Sequence, residues 1–155
     1  MRRTGIADLL VPFFVIGIAA YALLRFSYDS IPPFGYIVPV PLAALAIAEF
    51  VVAHRVRAAV RHDPRAKPIT AIAIARCVAL GKASAIVGAG VAGCGLALVI
   101  RAAPDAGTVN AAAHDTRVAV FAVIASVVLV AAGLLLERAG LDPNRDRHDR
   151  PGTPA

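Results

Sequence analysis

The sequence is poor in charged residues, in aromatic residues and in cysteine. Only 17% of its 155 residues are charged, 6% are aromatic, none is tryptophan and two are cysteine. An ordinary soluble domain has about 25% charged residues. A hydrophobic share of 59% and a mean hydropathy of +0.73 therefore indicate a membrane protein. The few aromatic residues also leave little with which to line a ligand pocket.

Motifs that specify a reaction are absent as well. Cys77 and Cys94 form no Cys-x-x-Cys pair, which argues against a membrane thiol oxidoreductase. On one helix they would lie about 25 Å apart, too far for a disulfide. The four histidines lack metal-ligand spacing, and no glycine-rich phosphate loop occurs. We therefore expect no enzyme, no cofactor and no metal site.

Four long apolar segments dominate the chain. They lie at residues 6–24, 33–53, 81–100 and 118–136. Each has about 20 residues, the length with which a helix crosses a hydrocarbon core of about 30 Å. They predict an all-α membrane fold, a four-transmembrane-helix bundle over residues 1–139. A cytoplasmic loop is expected at residues 54–70 and a disordered cytoplasmic tail at residues 140–155.

The basic residues predict the orientation. With the N-terminus in the cytoplasm, 13 of the 16 Lys and Arg residues fall on the cytoplasmic side. Only Arg25, Arg101 and Arg117 fall on the other side. This is the positive-inside bias, so both termini are expected in the cytoplasm and the protein in the inner (plasma) membrane. The net charge of +6 then reflects topology and contact with anionic lipid headgroups, and no nucleic-acid partner is expected.

A cleaved signal peptide is the alternative for the first segment. Arg2 and Arg3 resemble its charged start, and Ala20-Tyr21-Ala22 fits a cleavage pattern. Against it, the apolar run is long and contains Asp8 and Pro12. Cleavage would also leave three spans and place the arginine-rich loop outside.

Local signals predict where the helices begin. Pro33 is expected to start the second helix, with Pro39 and Pro41 early in it. Thr70 is expected to start an extension of the third helix, and Asp115 or Thr116 to cap the fourth. Small residues follow one face of the third helix and favour packing at the centre of the bundle over dimerisation. They are Gly81, Ser84, Ala85, Gly88, Ala92 and Gly95.

Charged residues inside the spans are the candidates for chemistry. Asp8, Glu49, Lys82 and Glu137 occur one per helix, each toward the cytoplasmic end of its segment. A charge in a membrane requires a partner, water or a path to the surface. We expect Asp8 and Glu137 among headgroups, and Glu49 paired with Lys82 or Arg76. The alternative is that Glu49, Lys82 and Glu137 form an intramembrane cluster that relays protons or binds a cation.

The order of these features resembles the actinobacterial membrane proteins grouped as domain of unknown function 3180. The most distinctive match is the segment of residues 75–85, with Arg-x5-Lys-Ala-Ser, and the likeness covers about residues 1–140. The other matching residues are Met1-Arg2-Arg3-Thr4, Asp8-Leu9, Ile31-Pro32-Pro33, Ala48-Glu49, Arg55-x-Arg57 and Leu136-Glu137-Arg138. The resemblance implies four helices in an actinobacterial inner membrane, and it implies no enzymatic activity.

Two functions are compatible with this sequence. The first is an accessory or scaffolding protein that binds membrane lipids or another integral membrane protein through Arg55, Arg57 and Arg76. The second is a small ion- or proton-coupled transporter or channel that uses Glu49. The oligomeric state is left open by the sequence.

The topology is testable with reporter fusions at Pro64, Asp105 and Gly152. We expect a cytoplasmic signal at Pro64 and Gly152 and an external signal at Asp105, because the basic residues gather on one side. An external signal at Pro64 would contradict this topology and favour cleavage after Ala22.

Overall fold

Every regular element of the computed structural model is a helix. The structure describes residues 4–27, 35, 37, 39–60 and 70–140, and no strand occurs among them. The elements are α1 (Ile6–Ser27), α2 (Pro39–Val60), α3 (Ala71–Ala102), a 3-10 turn (Ala103–Asp105) and α4 (Asn110–Ala139). All four α-helices are long and apolar enough to cross a membrane. The predicted all-α membrane fold, a four-helix bundle, is confirmed.

The start of α2 differs from the prediction. The helix begins at Pro39, not at Pro33. The proline ring presets the backbone angle of a first helical residue, and it disfavours the helical conformation in the residue before it. Pro39 and Pro41 both lie in the first turn, where amides have no acceptor within the helix, so neither removes a hydrogen bond.

The start of α4 was also predicted wrongly. The helix begins at Asn110, so Asp115 and Thr116 lie inside it and cap nothing. The Thr116 hydroxyl donates to the Ala112 carbonyl oxygen at 2.7 Å. The connection between α3 and α4 therefore consists of residues 103–109 only. A salt bridge of 3.0 Å between Arg101 and Asp105 stabilises this tight connection.

The starts of α1 and α3 follow capping chemistry. Thr70 caps α3 as predicted, because the Ala73 amide donates to its hydroxyl oxygen at 3.4 Å. At α1 the Gly5 amide donates to the Asp8 carboxylate at 2.9 Å, in the manner of a capping box. With 32 residues, α3 is about 48 Å long and extends beyond a hydrocarbon core, also as predicted.

The helices pack in the order α1, α3, α4, α2. Helix α3 packs against both α1 and α4, whereas α2 packs mainly against α4. Contacts along the helices show that α3 and α4 are antiparallel, that α1 runs parallel to α3, and that α2 runs parallel to α4.

These directions bring four helix termini to one end of the bundle. The starts of α1 and α3 and the ends of α2 and α4 meet there. We call it the basic end, after the four exposed arginines that it carries: Arg55, Arg57, Arg76 and Arg138. The side of the membrane that it faces stays a prediction.

Backbone contact between α3 and α4 occurs through glycine. A Cβ placed on Gly81 would lie 2.6 Å from the Gly133 carbonyl oxygen, too close for any side chain. Along the same face, Gly88 meets the α4 backbone at Ser126 and Gly95 meets Val123. The predicted small-residue face thus packs within the bundle, as expected for helices in lipid.

Replacing Gly81 by Ala should destabilise the bundle by about 1–3 kcal/mol, because the added methyl forces the two backbones apart. The result would be informative, since Gly to Ala in an open helix is normally stabilising. The free energy of unfolding can be measured by SDS titration of the purified protein. Gly107→Ala is the matched control, because nothing lies within 4 Å of that position, and we expect little change there. Equal stability of the two variants would contradict the close approach.

Candidate functional site

The interface between α2 and α4 follows a heptad pattern. We call it the α2–α4 seam. Its residues on α2 recur at alternating spacings of three and four, the pattern of a coiled coil. They are Pro39, Leu42, Ala46, Glu49, Ala53, Val56 and Val60. Six of these seven side chains are apolar, and Glu49 is the exception.

Glu49 is buried at this apolar interface. Its side chain is 2% exposed, and neither carboxylate oxygen has a hydrogen-bond partner among the described residues. Because α2 begins at Pro39 and ends at Val60, Glu49 lies near the midpoint of the helix. It is therefore closer to mid-helix than its place near one end of the predicted segment 33–53 had indicated.

Neighbouring contacts locate Glu49 along the seam. One turn before it, Ala46 packs with Leu129 and Ala132, and one turn after it, Ala53 packs with Leu136. Glu49 therefore faces the turn of α4 between these two levels.

Ser84 of α3 is the polar side chain beside Glu49. Its side chain is buried and close enough to interact with the Glu49 carboxyl. The geometry falls short of a hydrogen bond, so the carboxylate oxygens stay without a partner among the described residues.

The predicted pairing of Glu49 with Lys82 is wrong. Lys82 and Ser84 are two residues apart on α3, which separates them by about 200° around the helix. Since Ser84 is beside Glu49, Lys82 lies on another face of α3. Arg76 is exposed and does not reach Glu49 either.

Glu137, expected among headgroups, is buried in the bundle at the basic end. Its side chain is only 4% exposed, and it accepts a hydrogen bond of 2.8 Å from the Thr4 amide. This bond connects the segment before α1 to the last turn of α4 at the basic end. The three members of the predicted charge cluster (Glu49, Lys82 and Glu137) thus form no ion pair with one another.

Two buried polar residues on α4 were not predicted as buried. Ser126 is 0% exposed. Its hydroxyl donates to the Ala122 carbonyl oxygen at 2.7 Å, so the hydroxyl is hydrogen-bonded within its own helix. Asp115 is 4% exposed. The polar residues around Asp115 are typical of a loop, and no sequence signal indicated that this side chain is buried.

The basic end presents its arginines to the surroundings. Arg55, Arg57 and Arg76 are exposed, and none forms a salt bridge within the described part of the chain. Across residues 4–27, 39–60 and 70–140 there is also no group of three His, Cys, Asp or Glu side chains that could hold a metal ion.

The fold and these two features define a small four-helix membrane protein with a buried acid in one helix seam and a basic end. The family model described as "Protein of unknown function (DUF3180)" matches residues 9–144, and the chain belongs to this family. The resemblance stated from the sequence is thereby confirmed. Neither the curated proteins nor the solved structures contain a significant match.

A double-mutant cycle tests the separation of Glu49 from Lys82. We expect the effects of Glu49→Gln and Lys82→Met on the free energy of unfolding to add within about 0.5 kcal/mol, because the two side chains share no contact. SDS titration of the two single variants and the double variant measures this. A coupling energy above about 1 kcal/mol would contradict this separation and indicate an ion pair between Glu49 and Lys82.

Proposed function

We propose that this protein is an accessory or scaffolding protein of the inner membrane, with both termini in the cytoplasm and no enzymatic activity of its own. Its basic end would bind a membrane partner, either anionic lipid or another integral membrane protein. The observation that carries the proposal is the grouping of three of the exposed arginines at that end, Arg55 and Arg57 on α2 and Arg76 on α3.

The arginines lie at one level of the bundle. Val56, which lies between Arg55 and Arg57 on α2, belongs to the same apolar cluster as Ile74 and Cys77 of α3. Arg76 lies between those two α3 residues in sequence. Three guanidinium groups are therefore available at similar depth on neighbouring helices.

Arginine suits both kinds of partner. Its planar guanidinium group binds a carboxylate or a phosphate through two parallel hydrogen bonds. The cytoplasmic leaflet is negatively charged, and each basic residue near its surface contributes about 1 kcal/mol of attraction. Since no described residue forms a salt bridge with these side chains, an external anion would meet no competitor among the described residues.

A small ion- or proton-coupled transporter or channel is the second candidate. The observation that favours it is the buried Glu49 carboxylate without a partner among the described residues. Carrier sites are commonly built from broken helices near the membrane midplane. Here α2 and α3 are continuous over Pro39–Val60 and Ala71–Ala102, which favours the accessory role.

Arg76→Ala should weaken binding at the basic end, because it removes one of three guanidinium groups. We expect less co-purifying lipid or protein, measured by mass spectrometry after affinity purification from native membranes. Arg117→Ala is the matched control, since Arg117 is exposed at the opposite end of the bundle. Equal loss in both variants would indicate a general effect of charge and contradict a specific surface at the basic end.

Vesicles reconstituted with the purified protein separate the two candidates. The accessory role predicts no proton- or ion-coupled flux. Flux that disappears in Glu49→Gln would overturn that role in favour of a carrier.

A further inference from the structure

We propose that the Glu49 carboxylate, together with the Ser84 hydroxyl, forms a binding site for a monovalent cation, a proton or Na⁺, in the α2–α4 seam. The site would exist whether or not the basic end docks a partner, and binding of the cation does not imply its transport.

The Glu49 carboxylate is buried without a compensating group among the described residues. An ionised carboxylate accepts hydrogen bonds at two oxygens, and both Glu49 oxygens are buried without a partner among the described residues. An uncompensated buried charge is strongly destabilising. The fold nevertheless places Glu49 at a core position of the seam, so a positive charge at the carboxylate is required.

The surrounding helices do not supply this charge. On α4, the Ser126 hydroxyl donates to its own helix, and the Glu137 carboxylate accepts from Thr4. On α3, Lys82 lies on another face, and Cys77 packs near the Ala53–Val56 end of the seam.

The other titratable or charged side chains of these two helices lie elsewhere. Arg76 and Arg138 are exposed at the basic end, and Cys94 is exposed. Toward the opposite end, Arg101 bonds to Asp105, and His114, Asp115 and Arg117 lie at the start of α4. The compensating charge must therefore enter from outside the described helices.

The ligands of the seam suit a monovalent cation. Divalent ions such as Ca²⁺ take six to eight oxygen ligands, usually including several carboxylates. The seam offers one carboxylate and one hydroxyl, and no group of three His, Cys, Asp or Glu side chains occurs among the described residues. One negative charge is neutralised by one monovalent cation.

The test is the thermal stability of the full chain in nanodiscs. Because the folded state would bind the cation more tightly than the unfolded state does, stability should rise with the concentration of that cation. We expect Tm to rise by about 4 °C for each tenfold increase once the site is mostly filled. The proton is tested by lowering pH at constant ionic strength, and Na⁺ by replacing choline at constant pH. The series that raises Tm identifies the cation.

Glu49→Gln should abolish the response, because it keeps the size of the side chain and removes its charge. Glu49→Met serves in its place if the glutamine variant does not fold. Glu137→Gln is the matched control: it changes another buried glutamate, one that already has a partner, and it should keep the response. Ser84→Ala should move the midpoint of the Tm response to a higher cation concentration.

Two results would overturn the proposal. One is a wild-type Tm that responds to neither cation. The other is an equal response in the wild-type protein and in the Glu49 variant. A midpoint unchanged in Ser84→Ala would overturn the assignment of Ser84 to the site.

Discussion

Close packing of α3 against α4 is the interaction on which the rest of the structure depends. In lipid, apolar burial does not drive helices together, so association relies on van der Waals contact between closely spaced backbones. The facing glycines Gly81 and Gly133 allow this approach, with Gly88 and Gly95 continuing it along α3. The resulting antiparallel pair has one neighbour on each side, α1 on α3 and α2 on α4.

This arrangement explains how an acid comes to lie in an apolar seam. Helix α2 packs on α4 with a heptad pattern, so every seam position faces the partner helix along its whole length. A heptad seam has no solvated position near mid-helix, and Glu49 occupies one of its core positions. Ser84 is beside it because α3 is held close to the same turns of α4 by Gly81 and Gly133.

The sequence predicted those features that depend on local composition. Apolar length indicated four spanning helices, Thr70 marked a helix start, and the small residues of α3 marked its packing face. Features that depend on contacts distant in sequence were missed or wrong. The bond from Thr4 to Glu137 joins residues 133 positions apart, and no local signal announces it. The prediction that Glu49 pairs with Lys82 rested on their similar depth in the bundle. The rotation of α3 about its axis instead places Ser84 beside Glu49. The start of α2 was misplaced because Pro33 and Pro39 offer the same first-turn signal. The start of α4 was misplaced because Asp115 and Thr116 offer a capping signal inside a helix that already begins at Asn110.

Helix α2 links the two features to which function is assigned. It carries Arg55 and Arg57 at the basic end and Glu49 near its midpoint, and its main contact is with α4. Any charge that compensates Glu49 strengthens the α2–α4 seam, and the seam holds the α2 arginines level with Arg76. The two features therefore depend on one structural element, the packing of α2 on α4.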